Sequence, residues 1–474
     1  MIEMSLRQNV ALTQESHESV IVQHDGRSMR LKPLNCADVE FLLGLAKQPL
    51  HIDKLGSTAP ALPPDIDSGR TTVLLRRLAE RHLIEFDCVV RGRKLLTALP
   101  TSGLSSFDFN KSADAQAVQL SRFAYLHRAD GSLIIESPIR FATIMVREPL
   151  AAALLADLAV ARSVEQLCQR SALLSEEIRE CVQFLLGVGV LGVPNTAGAL
   201  EEDTSPALAQ REFHDLVLHT RSRRGLTQQP LGGLFPFSGI LPPTPAVKQP
   251  MSVQPIALPK PDIDKLMERD MPFAKVMEQR KSARYFGEPI TIEQLGEFLY
   301  RVARIRSTQT PPAGDPRGYE ITNRTYPSGG AAYDLELYLT VRNCTGLKPG
   351  TYHYEGLGHT LSLLSERESL NQAIINDARR SSGWRDSPHV VITLASRFSR
   401  ISWKYRGICY AVTLKNVGVM YEAMYLAAAA MELAPCALGG GDSALFAQAT
   451  GLDPLLESSV GEFMLGTLPS GSGQ

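Results

Sequence analysis

The sequence predicts an α+β protein, with helices packed around an antiparallel or mixed sheet in its C-terminal half and two tandem winged-helix-like units ahead of it. Three observations predict this. The C-terminal half alternates segments of helical and strand periodicity. Two earlier stretches, 20–100 and 120–195, repeat one order of helices and β-ribbon. A proline-dense segment from Gln228 to Pro261 then separates the halves, because it cannot be regular helix or a central strand.

Residues 1–18 lack a basic segment followed by an apolar core, so they are not a secretory signal and are read as a tail. In the first unit, 19–105, SVIVQ is a strand, ADVEFLLGLAK and GRTTVLLRRLAERHL are helices, and IEFDCVV and KLLTAL are strands around RGR. In the second, 115–197, FAYLHRADGSLIIESP is a hairpin, EPLAAALLADLA, SVEQLCQR and SEEIRECVQFLLGVGV are helices, and LGVP closes the unit. The third domain, 205–474, opens with a helix in REFHDLVLHTRSRRG ending at Gly225, and the strap 228–261 follows. An arm and an extended strap suit a chain that embraces a second subunit. Beyond the strap come helices PFAKVMEQRK and TIEQLGEFLYRVAR, strand LELYLTVR, hairpin GLKPGTYHYEGLGHTLSLL, helix ESLNQAIINDARR, strand HVVITLAS, a strand-like run ISWKYRGICYAV, a long apolar helix from about Thr413 to Leu433, and strand GEFMLGTL.

A chain of 474 residues implies roughly two to four domains. Lys plus Arg is 49 against 50 for Asp plus Glu, so no global field recruits nucleic acid or an anionic membrane. Arg70, Arg76, Arg77 and Arg81 could form a phosphate-contacting helix face, but Glu80, Glu85 and Asp87 follow closely, and peptide recognition or plain structure is the better reading. The seven cysteines stand singly, without metal-like spacing, which reads as reduced, cytoplasmic thiols. The long apolar helix carries Lys415, Asn416, Glu422 and Glu432, which argues against a membrane span. Neither GxGxxG nor GxxxxGK[ST] occurs, so Rossmann and P-loop readings have no support.

Three clusters and one pair can carry chemistry. Arg280, Lys281, Ser282 and Arg284 can converge on a phosphate, or form a solvated helix end whose cations suit the C-terminal dipole. In TYPSGGAAYDLELYL, Pro327, Ser328, Gly329 and Gly330 precede a strand, as a turn or as a close approach of backbone to a flat ligand. In APCALGGGDSALF, Gly439, Gly440 and Gly441 let backbone amides face a ligand while Asp442 or Ser443 caps the next helix. Lys404 and Tyr405 are neighbours in an apolar run, which taken alone reads first as an edge strand with a snorkelling Lys and a packed Tyr.

In this order the motifs resemble the nitroreductase-like flavoproteins. More narrowly, residues from about 205 to 468 resemble SagB/ThcOx-type peptide dehydrogenases: FHDLVLHTRSR, QRKSARYF, YPSGGAAYDLELYL, GLKPGTYHY, WKYRG, and GGGDS with SVGEFMLG. The tandem N-terminal units are similar to the leader-recognition domains ahead of the flavin domain in cyanobactin-type oxidases. The resemblance implies a flavin mononucleotide (FMN) site at a homodimer interface. Arg280, Ser282, Arg284 and Lys281 match positions that hold the phosphate and ring edge; Pro327, Ser328 and Gly329 match the turn along the isoalloxazine; Gly439 and Gly440 match the loop near its reactive nitrogen. Lys404 and Tyr405 match the Lys-Tyr pair that handles the substrate proton. The chain departs from the family in SVGEFMLGTLPSGSGQ, which lacks the usual basic phosphate ligand. Lys415 and Asn416, at the start of the long helix, are the expected substitutes. Cys409 stands where a bulkier or basic side chain is usual.

The activity implied is oxidation of thiazoline or oxazoline rings to azoles in a ribosomally made precursor peptide, with a cyclodehydratase as a further partner and no metal. Either Tyr405, its phenol lowered by Lys404 or flavin, or Lys404, lowered by burial, would take the ring proton. Their ordinary values of about 10 and about 10.4 are too high without a shift. The rival readings are a nicotinamide-dependent nitro or quinone reductase, which needs no leader-binding units, and a non-catalytic subunit that docks the peptide.

Overall fold

The computed structural model describes all residues except 25, 53–72, 76, 80, 103, 106, 112–115, 130, 228–229, 313, 316–317 and 471–474. The chain divides into two compact units, Met1–Gln229 and Pro230–Gln474.

The first unit contains β1 (Ile2–Leu6), β2 (Val10–Ser16), β3 (Ser19–His24), β4 (Arg27–Leu31), β5 (Leu50–His51), β6 (Ile84–Val90), β7 (Arg93–Pro100), β8 (Gln119–Leu120), β9 (Tyr125–Ala129), β10 (Ser132–Ser137), β11 (Ala142–Val146) and β12 (Leu191–Gly192). Its helices are α1 (Cys36–Lys47), α2 (Pro149–Asp157), α3 (Val164–Arg170), α4 (Ser175–Val188), α5 (Glu201–Thr204) and α6 (Phe213–Arg221). Local chemistry accounts for several of these. Asn35 with Asp38, and Ser163 with Gln166, close capping boxes on α1 and α3. Arg91 and Gly92 both take positive φ, the geometry that lets a two-residue turn match strand twist between β6 and β7.

Two features differ from expectation. The opening residues are strands: β1 pairs along β6, Ile2 opposite Cys88 through Leu6 opposite Ile84, and β2 pairs with β3. Apolar Ile2 and Met4 alternate with polar neighbours and are buried, a short strand pattern that the sequence reading passed over. Second, one antiparallel sheet, ordered β5-β1-β6-β7-β11-β10-β9, runs through both repeats, which share a single apolar cluster from Ile2 to Leu191. Arg70 and Arg76 lie outside the described residues; around them 73–75 and 77–79 are helical. Helix α6 packs inside this unit, with Arg221 on Glu136 and Phe213 edge-on to Tyr125, and stops at Arg221 rather than Gly225.

The second unit holds β13 (Gly232–Gly233), β14 (Ile256–Ala257), β15 (Ile290–Thr291), β16 (Ile305–Gln309), β17 (Ile321–Arg324), β18 (Leu335–Val341), β19 (Cys344–Thr345), β20 (Gly350–Glu355), β21 (Thr360–Ser365), β22 (Val390–Arg397), β23 (Tyr405–Arg406), β24 (Leu433–Leu438) and β25 (Glu457–Thr467). Its helices are α7 (Ile263–Arg269), α8 (Phe273–Gln279), α9 (Ile292–Ala303), α10 (Glu368–Ser381), α11 (Phe398–Ser402), α12 (Cys409–Ala430) and α13 (Ser443–Thr450). The main sheet, β14-β21-β20-β18-β22-β25-β24, is antiparallel throughout. Thr291 with Gln294 caps α9, and Asp442 caps α13 as expected. Among its described residues the strap contributes only the two-residue strands β13 and β14, as its prolines require.

Helix α12 is mostly apolar and buries one stripe, Val417, Met420, Met424 and Ala428, against sheet residues such as Phe463 and Leu465. Tyr410, Leu414 and Val419 are exposed. The run 401–412 is not a strand. Its Ile401 and Ser402 belong to α11, only Tyr405 and Arg406 pair, and α12 begins at Cys409, four residues before the expected start. Among the described residues no helix is long and apolar enough to cross a membrane. All seven cysteines are free thiols.

Candidate functional site

The Pro327–Gly330 turn links β17 to β18, and its shape is imposed by α12. Gly329 N donates to Asn416 Oδ1 at 3.0 Å, and Tyr333 N donates to Ser328 Oγ at 3.0 Å. Asn416 is held in turn by Asp334, which is fully buried and accepts from Asn416 Nδ2 (2.7 Å), Thr413 Oγ1 (2.7 Å) and Ser396 Oγ (2.8 Å). Three donors satisfy this carboxylate, which offsets the cost of burying it. Gly330 has φ +58, and a Cβ there would collide with Tyr405 Oη. A glycine is therefore required both by the turn and by the close approach.

Lys404 and Tyr405 stand over this turn. Lys404 Nζ donates to Gly330 O at 2.6 Å and lies 5.2, 5.6 and 5.9 Å from the ring centres of Tyr319, Tyr405 and Phe235. The strap holds the pair from behind: Phe235 N donates to Lys404 O at 3.0 Å, Trp403 Nε1 donates to Leu241 O at 2.8 Å, and β13 pairs with β23. Arg400, 1% exposed, donates to the carbonyls of Ala332, Thr244 and Glu320 and sits over the Tyr319 ring. Burial, reinforced by the positive charge of Arg400, lowers the Lys404 pKa. Burial raises that of Tyr405, the reverse of the lowered phenol that one sequence reading required.

The second set lies beside the other end of α12. Arg280 ends α8 with its guanidinium 5.3 Å from the Tyr425 ring, and Ser282 Oγ shares a 2.7 Å hydrogen bond with Tyr425 Oη. Ala283 N donates to Pro435 O at 2.7 Å, which lays this segment along β24. The loop after β24 follows: a Cβ at Gly439 or Gly440 would meet nothing within 4 Å. Behind the loop Glu462 is 9% exposed, and burial with nearby Asp377 raises its pKa to about 7. Among the described residues Arg280, Lys281 and Arg284 have no carboxylate partner.

Asn416 and Tyr425 are nine residues apart on one helix, about 14 Å at 1.5 Å per residue. One chain therefore gathers Pro327, Ser328, Gly329, Lys404, Tyr405 and Asn416 at one place, and Arg280, Lys281, Ser282, Arg284, Gly439 and Gly440 at another. Lys415 and Asn416 do not serve as a helix N-terminus, because α12 starts at Cys409; Asn416 is also buried and committed to Asp334 and Gly329. The sequence reading missed Asp334, Tyr319, Phe235, Arg400 and Tyr425. Only Asp334 leaves a signal, an acid set directly before an apolar strand.

The donor set suits a phosphate-bearing aromatic cofactor. Unpaired guanidiniums and a hydroxyl match phosphate oxygens, and open glycine backbone admits a flat ring.

A model of the cyanobactin oxidase ThcOx matches residues 118–228, and the nitroreductase family model matches residues 277–467. A Methanocaldococcus jannaschii protein named as a nitroreductase is 26% identical over 180 residues, 38% of this chain and 81% of that protein. Among solved structures, a Ralstonia eutropha protein named as a nitroreductase is 21% identical with TM-score 0.35, covering 51% of this chain and 100% of that one. The E. coli microcin synthetase McbBCD complex, with truncated pro-MccB17 bound, contains a chain 20% identical with TM-score 0.32, covering 45% of this chain and 84% of that one. Residues 277–467 of the C-terminal unit thus match the nitroreductase family, and residues 118–228 ahead of them match the cyanobactin oxidase ThcOx.

Proposed function

We propose that the protein is an FMN-dependent dehydrogenase that oxidises thiazoline or oxazoline rings to azoles in a ribosomally made precursor peptide. One observation carries the reading: a cyanobactin-oxidase segment and a nitroreductase domain occupy the same chain. Arg280, Lys281, Ser282 and Arg284 would hold the phosphate and ring edge, Pro327, Ser328 and Gly329 would line the ring, and Gly439 with Gly440 would present backbone amides to it. Bound FMN supplies a two-electron acceptor that the side chains lack.

Aromatising an azoline removes a proton from the ring Cα and a hydride from the neighbouring carbon. Lys404 takes the proton at Nζ, since burial moves its pKa toward neutrality while that of Tyr405 moves away. Tyr405 packs beside it and limits water at the reacting carbon. The strap fixes both through Phe235 and Leu241. The two residue sets stand about 14 Å apart along α12, and the apolar residues Tyr410, Leu414 and Val419 are exposed on that helix. Both features support a homodimer in which each copy completes the other's site. The winged-helix-like repeats would take the leader of the precursor, and a cyclodehydratase would supply the azoline.

A nicotinamide-dependent nitro or quinone reductase is the second reading, favoured by the nitroreductase match over 277–467. Purified protein should be yellow and should remove two hydrogens per azoline ring from a leader-bearing peptide in air, read by mass spectrometry. The double variant Lys404→Ala, Tyr405→Phe should keep its flavin and lose turnover by about 10²–10⁴-fold. The rate of the native protein should rise with pH along a limb below lysine's ordinary value of about 10.4, because the base must be neutral. Yellow protein that reduces nitro compounds with a nicotinamide but leaves azolines intact would establish the second reading instead.

A further inference from the structure

Beside the cations of the C-terminal unit lies an open cleft of ≈ 870 Å³, walled by Lys281, Ser282, Arg284 and Tyr285 from one segment and by Ser382 and Arg385 from another. Arg385 belongs to the loop between α10 and β22, a hundred residues further along the chain. Its backbone is fixed on both sides. Arg379 Nε donates to Arg385 O at 3.0 Å, Trp384 N donates to Arg379 O at 2.7 Å, and Arg342 donates to the carbonyls of Ser387 (3.0 Å) and Pro388 (2.8 Å).

The two walls are also stitched together. Asp386 N donates to Arg284 O at 3.3 Å, and Phe286 N donates to Asp386 Oδ2 at 3.4 Å. Asp386 thus accepts from a backbone amide and forms no ion pair with Lys281, Arg284 or Arg385 among the described residues. The Arg385 guanidinium lies 5.9 Å from the Tyr285 ring centre, and among the described residues neither it nor Lys281 nor Arg284 has a carboxylate partner. Three cations on one cleft repel one another, and an anion between them removes that cost.

We propose that Arg385 is a phosphate-binding residue of this unit, acting with Lys281 and Arg284 on the same cleft. The inference rests on the flavin reading above and adds a residue to it. A planar guanidinium gives paired donors that match a phosphate monoester dianion. Riboflavin, which has the same ring without the phosphate, is the discriminating probe.

The test is a fluorescence titration of the full chain, stripped of flavin, with FMN and with riboflavin. Arg385→Ala should raise the Kd for FMN by about tenfold or more, the worth of one charge-assisted hydrogen bond, and leave that for riboflavin unchanged. Arg385→Lys should fall between, and Lys260→Ala, which removes an exposed charge elsewhere in the unit, should change neither. Unaltered FMN affinity in Arg385→Ala would overturn the proposal, as would equal weakening of both flavins. Native protein that takes up neither flavin would overturn the flavin reading, and this inference with it.

Discussion

Near its N-terminal end α12 holds Asp334, a carboxylate with three donors, whereas beside its C-terminal end the cations at 280–284 have no carboxylate partner among the described residues. Around Asp334 every hydrogen bond is made within the chain, so the turn and the Lys404–Tyr405 pair keep their geometry with nothing bound. Around Ser282 the chain supplies donors and withholds acceptors. On the function proposed above, the first end would be a preorganised surface for a reacting atom, and the second a surface that its ligand completes.

The comparison breaks if the two ends respond alike to substitution. The largest effect should follow Asp334→Ala, which leaves three buried donors without an acceptor. Urea unfolding should show a loss of about 3–5 kcal/mol, and flavin should not restore it. Glu462 comes next. Its folded pKa of about 7 exceeds the value of 4.5 in a free carboxyl, so the folded state holds its proton more tightly. The resulting stability is fully present below about pH 4.5 and is lost as pH rises toward 7, about 3 kcal/mol in all. Glu462→Gln should flatten that part of the stability profile, which paired unfolding curves near pH 5 and about pH 8 would measure. The smallest effect on stability should be that of Gly439→Ala, within about 0.5 kcal/mol because its Cβ enters open space, while FMN affinity should fall several-fold. That split between stability and binding sharpens the contrast with Asp334.

Much of the second unit could be read from its pattern. Thr291 with Gln294 and Asp442 announce α9 and α13, and the strands LELYLTV and VVITLAS carry runs of β-branched and leucine residues that suit a doubly covered sheet. The failure at 401–412 has a tertiary cause. Ile401, Trp403 and Tyr405 alternate like a strand, but Arg400 is pulled inside by three carbonyls from 244, 320 and 332, and that fixes a helical turn there. Tyr319 and Phe235, which line Lys404, could not have been anticipated, because their partnership depends on the course of a proline-rich strap with no periodicity of its own. Arg385 was invisible for a related reason: backbone hydrogen bonds, which no side-chain motif encodes, carry it to Arg284.

The single sheet of the first unit also constrains how the chain is made. Strand β7 finds its outer partner only in β11, with Leu96 opposite Val146 and Pro100 opposite Ala142. At 5–20 residues per second the roughly 40 residues between them take about 2–8 s to emerge from the ribosome. For that interval Leu95, Leu96 and Ala98, all fully covered in the finished unit, border an open edge. A nascent chain paused between the repeats presents that edge to pairing with other chains.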